Sequence, residues 1–201
     1  LVAKAGPGWE VVTVPLESLA LRSAGPTHAD AFDPSGGAVQ EPAGEEVVQL
    51  SIKTDDYGYY DLERTVLRAS LPQVTRILTA ALVLEDVRTG WDTFYEPLPA
   101  PTINLHPGTW ASADWTHSAD LWAAYDGSVV GSCDTEPFYA AGSRRKRLAM
   151  ELDPSWLRPG QALRLTMRDS QDHVDFRETY ADNRTRWVVG LVGAHLRLTV
   201  E

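Results

Sequence analysis

Apolar and polar residues alternate with a period of two through much of the chain, the pattern of strands with one face on a core. Val48, Leu50 and Ile52 alternate with Gln49, Ser51 and Lys53. Leu148, Met150 and Leu152 alternate with Arg147, Ala149 and Glu151, and Leu163, Leu165 and Met167 with Arg164, Thr166 and Arg168. At the C-terminus Leu196, Leu198 and Val200 alternate with His195, Arg197 and Thr199. Each run predicts a half-buried strand, and the last ties the end of the chain into a sheet. From Thr75 to Val87 both parities are apolar, with Ile77, Ala81 and Val83 on one and Leu78, Leu82 and Leu84 on the other. This predicts a central strand covered on both faces. Ile77, Ala81 and Leu84 also fit helical spacing, but the β-branched content and the neighbouring strands favour a sheet.

Helix signals are few. Asp153 can cap a single turn that Pro154 opens and Pro159 and Gly160 stop, and Pro15 to Leu21 is a second short candidate, with Leu16, Leu19 and Ala20 as its apolar face. Between Arg22 and Glu46 the composition shifts to Gly, Pro, Ala, Asp and Glu, which predicts a long loop, or an arm that orders on a neighbouring copy in a homo-oligomer. Turn clusters fall at Asp126 and Gly127, at Gly142 and Ser143, and around Asp169 to His173. Many short strands and few helices predict an all-β fold: one β-sandwich or jelly roll over residues 1–201, mostly antiparallel, with 22–46 as its flexible excursion. A barrel is the alternative.

Composition narrows the partners. The 201 residues carry 18 Lys and Arg against 28 Asp and Glu, a net charge of −10, which argues against nucleic-acid binding. Cys133 is the sole cysteine, so no intramolecular disulfide forms. No apolar run approaches the roughly 20 residues of a membrane-spanning helix, so no membrane insertion is expected. The chain starts at Leu1 rather than Met, as it would after removal of a signal peptide or as a piece of something longer.

The run LDPSWLRPGQALRLTMRD, Leu152 to Asp169, resembles the strand, one-turn helix and strand near the end of galactose-binding-like jelly rolls, where an "LLRPGxNxLxL" stretch is frequent. ADLWAAYDGSVVGS, Ala119 to Ser132, is similar to the strand and hairpin that precede it there. Gln161 and Ala162 stand where Asn is usual, and the two stretches cover about a fifth of the chain. The resemblance implies a fold used by carbohydrate-binding modules, by non-catalytic domains of glycoside hydrolases and by phage structural proteins. A shared fold does not transfer function.

Seven Trp and seven Tyr include the close group Trp110, Trp115 and Trp122. An exposed indole offers a flat face to the C–H face of a sugar while neighbouring polar groups bond its hydroxyls. Trp110, Asp114, Trp115, His117, Asp120 and Tyr125 therefore form the candidate ligand site, centred on the loop Pro107 to Ser118. The competing account makes Trp122 a core residue and lets Trp110 and Trp115 cap the end of the sandwich. Asp169, Asp172 and Asp175 lie three apart around a turn and are the candidate Ca²⁺ ligands, although a solvated acidic turn without the glycine of a calcium loop is more economical. No other cofactor is expected. Asp55 to Asp61 is a second acidic and aromatic cluster, either sugar-facing or a polar hairpin tip.

No GxSxG, HExxH or paired Cys-x-x-Cys motif occurs. A Ser, His and acid set could be drawn from His117, Ser118 and Asp120, or started from His28 and Asp30, but sequence proximity is not triad geometry. The catalytic residues, if any, are unknown. The basic run Arg144 to Arg147 reads as a charged guard on a strand edge, Asn183 to Thr185 as a chance sequon, and Cys133 as an ordinary thiol. These readings add up to a non-catalytic carbohydrate-binding module acting outside the cytoplasm. A structural subunit such as a virion capsid, tail or decoration protein is the alternative, followed by a glycan-active hydrolase.

Overall fold

The computed structural model describes residues 8–25, 32, 51–54, 60–87, 102–110, 118–134, 146–170, 172 and 194–201. Ten strands are laid down in chain order: β1 (Glu10–Pro15), β2 (Glu17–Gly25), β3 (Ser51–Thr54), β4 (Tyr60–Ser70), β5 (Ile77–Val87), β6 (Thr102–Pro107), β7 (Gly131–Asp134), β8 (Lys146–Leu152), β9 (Ala162–Asp169) and β10 (Ala194–Val200). They form two antiparallel sheets, one of four strands in the order β1-β10-β5-β8 and one of six in the order β2-β4-β9-β6-β7, with β3 also paired to β4. The protein is an all-β sandwich.

The alternating runs explain the layers. Leu67 and Ala69 of β4, Leu163, Leu165 and Met167 of β9, and Ile103 and Leu105 of β6 point inward from the larger sheet. They meet Leu82 and Leu84 of β5, Leu148, Met150 and Leu152 of β8, and Leu196, Leu198 and Val200 of β10. β5 is central, flanked by β10 and β8, but it is not covered on both faces as its doubly apolar sequence predicts: on its outward side Val83 is buried, whereas Thr79 is exposed and Ala81 half-buried. Its Thr79 hydroxyl bonds that of Thr199 across the ladder at 2.8 Å. The C-terminal strand is tied down by β1 and β5 and by reciprocal backbone bonds between Arg76 and Glu201 at 3.0 and 2.9 Å.

The basic run does end in an edge strand. Among the described residues β8 is the end strand of its sheet, and its exposed Arg147 pairs with Glu85 of the neighbouring β5 at 3.1 Å. Asp153 caps a single 3-10 turn, Pro154–Trp156, accepting the Ser155 N–H at 2.9 Å. Two expectations are corrected. Pro15 to Leu21 is not helical: Glu17 onward is β2, whose register against β4 is continuous from Glu17↔Arg68 to Gly25↔Tyr60. Nor is the start of Ala119–Ser132 a strand, because Ser118–Ala123 forms one short helix, α1. The excursion after β2 begins later than expected, since Arg22 to Gly25 belong to the strand. Its remaining residues, the Val48–Leu50 half of the first alternating run, the Gly142–Ser143 turn and Asn183 lie outside the described residues, apart from Phe32.

Leu165 has no solvent exposure at the centre of the inter-sheet core. Truncating it to Ala should lower unfolding free energy by about 2–5 kcal/mol, read from urea denaturation. A loss well below about 1 kcal/mol would show that this face of β9 is not the packed interface.

Candidate functional site on the outer face of the six-stranded sheet

The outward residues of the larger sheet are unusual for a surface, because many are charged and several are buried. Register places Arg64, Val66 and Arg68 of β4 beside Arg164, Thr166 and Arg168 of β9, and these beside Asn104 and His106 of β6. The aromatic segment that follows β6 folds back over one end of this face. Trp110, Leu121 and Trp122 pack there with Leu21, Leu62 and Val66 as a second apolar cluster. The segment is zipped to β6 by Thr109 N–H to Ala124 O at 2.8 Å, Asp126 N–H to Pro107 O at 2.7 Å and Val130 N–H to Leu105 O at 2.9 Å. The expected turn at Asp126 forms, with the carboxylate accepting the Ser128 N–H at 2.7 Å.

Under that cover lies a buried ionic network. Arg64 occupies the point where the partner of β4 changes from β3, which pairs through Glu63, to β9, which pairs from Thr65. Its Nε and Nη2 donate to Asp172 Oδ2 and Oδ1 at 2.6 and 2.8 Å, and Nη1 donates to Trp122 O at 2.8 Å. The guanidinium stacks on the Trp122 ring at 3.9 Å, with the Phe32 ring at 5.1 Å. Arg168 donates to Asp172 Oδ2 at 3.2 Å and to its backbone carbonyl, and lies 4.4 Å from the Tyr125 ring centre. Burial alone would raise the Asp172 carboxyl, but the Arg64 bonds and the Arg64 and Arg168 charges outweigh it and hold the carboxyl below its ordinary 3.8. Beside the network, His106 donates Nδ1–H to Ser128 O at 2.8 Å. Burial and then the Arg168 charge lower its pKa from 6.5, so the neutral ring is favoured. Thr166 Oγ1 and Ser23 Oγ are buried on this face with no hydrogen-bond partner among the described residues.

At the other end of β9 the same face opens into a groove of about 310 Å³. Trp156, Arg158, Gln161 and Arg164 supply its polar and aromatic wall, and Leu71 and Gly108 close it. The turn that carries it is rigid. Gln161 N–H bonds Arg158 O at 3.1 Å, and Gly160, with φ of +72°, takes the left-handed position that follows proline in a type II turn. Gly160 N–H to Pro72 O at 2.9 Å and Leu71 N–H to Gln161 O at 3.0 Å lock this turn to the end of β4. Gly108 has no Cβ because the Trp110 ring occupies that space.

This arrangement corrects the sequence-based site. Trp110 is 7% exposed, so it offers no face for stacking, and Trp122 is core, as the competing account had it. Tyr125 is half-buried over Arg168, and Asp120 is exposed in the first turn of α1. Asp114, Trp115, His117, His28, Asp30 and most of Asp55–Asp61 lie outside the described residues. The acidic turn also departs from a calcium loop. Asp172 N–H bonds Asp169 O at 3.1 Å, the turn swings Asp172 onto the outer face, and both of its carboxylate oxygens are taken by arginine. Asp169 is buried, Asp175 lies outside the described residues, and no group of three or more metal-ligating side chains occurs among those described. Burial and then the neighbouring Asp134 push the Cys133 thiol up to about 11, which keeps it protonated and unreactive at neutral pH. The groove was missed because Pro154, Pro159 and Gly160 read as helix punctuation. The signal was present in Trp156, Arg158, Gln161 and Arg164, an aromatic, basic and amide set on one short rigid turn.

Removing the Asp172 charge leaves two guanidinium groups buried without their carboxylate. Asp172→Asn should therefore cost about 3–5 kcal/mol in urea denaturation at neutral pH, and a cost under about 1 kcal/mol would show that the pair is solvated. The lowered His106 pKa has its own sign. The unfolded chain binds that proton more tightly, so the stabilisation is present above 6.5 and is lost as pH falls below it. His106→Gln should flatten the decline in stability between pH about 7 and about 5, and an unchanged slope would remove His106 as its source.

No protein-family model matches this chain, and no curated protein matches it.

Proposed function

We propose that the protein is a non-catalytic carbohydrate-binding module acting outside the cytoplasm, and that its sugar lies in the groove at the start of β9. The observation that carries this reading is the half-buried Trp156 indole facing a concave space with Arg158, Gln161 and Arg164 on the same wall. A saccharide needs an apolar plane for its C–H face and convergent donors and acceptors for its hydroxyls. The groove combines these, and its volume of about 310 Å³ falls at the small end of the range for small-molecule clefts. Rigidity favours the same reading, because a wall locked by the Asp153 cap and the Pro159–Gly160 turn loses little entropy on binding. The galactose-binding-like resemblance supports it from the sequence side, since Trp156 to Arg164 lie within the stretch that carries the likeness.

A glycan array should give a defined set of hits with the wild-type chain. Trp156→Ala should weaken the best hit by about tenfold or more, the loss of a stacked ring and its area. Trp156 also packs against the inter-sheet core, so the exposed Gln161→Ala provides a second variant whose fold is undisturbed. A blank array, or wild-type affinity in both variants, would sink the carbohydrate reading.

A further inference from the structure

We propose that the groove recognises an acidic saccharide, with Arg158 and Arg164 receiving a carboxylate or sulfate ester of the sugar; this deepens the carbohydrate reading and rests on it. The charge of the groove carries the inference. Among the described residues its lining includes Arg158 and Arg164 and no carboxylate, on a chain whose net charge is −10. Arg164 stands directly opposite Arg68 in the β4–β9 register, on the same face. Like charges opposed across a ladder repel, and an anion between them relieves the repulsion. Glu17 supplies one negative charge there, accepting from Arg68 Nε at 2.8 Å and also from Nη2.

The opposite end of the face shows how this fold treats arginines that must be silent. There Arg64 and Arg168 are buried on the Asp172 carboxylate. Among the described residues no equivalent carboxylate lines the groove, whose Arg158 is exposed and shares the lining with Trp156. A guanidinium is a planar fork of donors that fits carboxylate and sulfate oxygens two at a time, so an acidic group on a ring stacked against Trp156 would meet matched donors. Neutral sugars would use only the indole and Gln161. Arg158 and Arg164 share one small cleft, and the acidic remainder of the chain disfavours a nucleic acid.

The test is isothermal titration calorimetry of the intact chain with oligogalacturonate, a heparin-derived oligosaccharide, a neutral maltooligosaccharide of equal length, and sodium sulfate, each at low and high salt. At least one acidic oligosaccharide should bind about tenfold or more tighter than the neutral one, and its affinity should fall with added salt. Arg158→Gln and Arg164→Gln should each weaken the acidic ligand by about tenfold and erode its advantage over the neutral one. Arg164 is part-buried, so Arg158→Gln, at an exposed position, keeps the test decisive if the other variant unfolds. Equal affinity for neutral and acidic oligosaccharides would overturn the acidic specificity and leave the carbohydrate reading standing. Sulfate binding as tightly as any saccharide would make the groove a simple anion site and overturn both readings, as would no binding of any probe. Wild-type affinity for the acidic ligand in Arg158→Gln would remove this groove as the site.

Discussion

The buried end of the outer face of the six-stranded sheet is organised by the Asp172 carboxylate and its bonds to Arg64. Taking a guanidinium out of water costs several kcal/mol, and only a carboxylate met by well-aligned donors offsets that cost. Arg64 meets this condition with two bonds to Asp172, one to the Trp122 carbonyl and an indole face at 3.9 Å. These contacts join positions 108 and 58 residues apart in the chain. The pair therefore fixes where the turn after β9 ends and where the segment carrying α1 lies. Arg168, sharing the same carboxylate, becomes buried on those terms, and the Tyr125 and His106 rings pack around it. Burial under this cover, and then the Arg168 charge, drive the nearby histidine toward its neutral form.

Much of the sandwich is legible from the alternating pattern alone, because inter-sheet burial acts on every second residue of a strand. β5, β8, β9 and β10 fall where the sequence places them, and the doubly apolar β5 is central. The Asp153 cap and the Pro159–Gly160 stop are equally direct, since each depends on backbone chemistry within a few residues. The failures are those of local reading against distant partners. Leu16, Leu19 and Ala20 trace a helical face, yet pairing with β4 along nine positions outweighs that weak preference. Ser118–Ala123 turns into a helix because Leu121 and Trp122 must reach a cluster built by β2 and β4.

The site was less legible for a related reason. Alternation reports which side chains share a face, but not what covers that face. Arg164, Thr166 and Arg168 read as one solvent-facing row, whereas Thr166 and Arg168 are buried and Arg164 is only partly so. The covering comes from Trp110, Trp122 and Tyr125, residues far from β9 in the chain. The same packing removes Trp110 from the list of stacking residues, since an indole buried against Leu21, Leu62 and Val66 cannot also present itself to a sugar. Asp172 is the mirror case. Its spacing from Asp169 suggests an oxygen-rich loop, but only the fold reveals that two arginines already claim it.

Along the outward row of β9 the treatment of charge changes from one end to the other. Arg168 is neutralised, shielded by aromatics and closed off, while Arg164 sits opposite Arg68 at the edge of an open cleft. Opposing two arginines across a ladder costs repulsion that Glu17 offsets only on the Arg68 side, and a Thr at position 164 would avoid it. Closing the first end also shapes the second: the segment that buries Arg168 places the Trp110 ring over Gly108, and Gly108 forms one wall of the cleft. The buried ion pair and the open groove are thus joined through one segment, which covers Arg168 with Tyr125 and sets Trp110 against the Gly108 wall of the cleft.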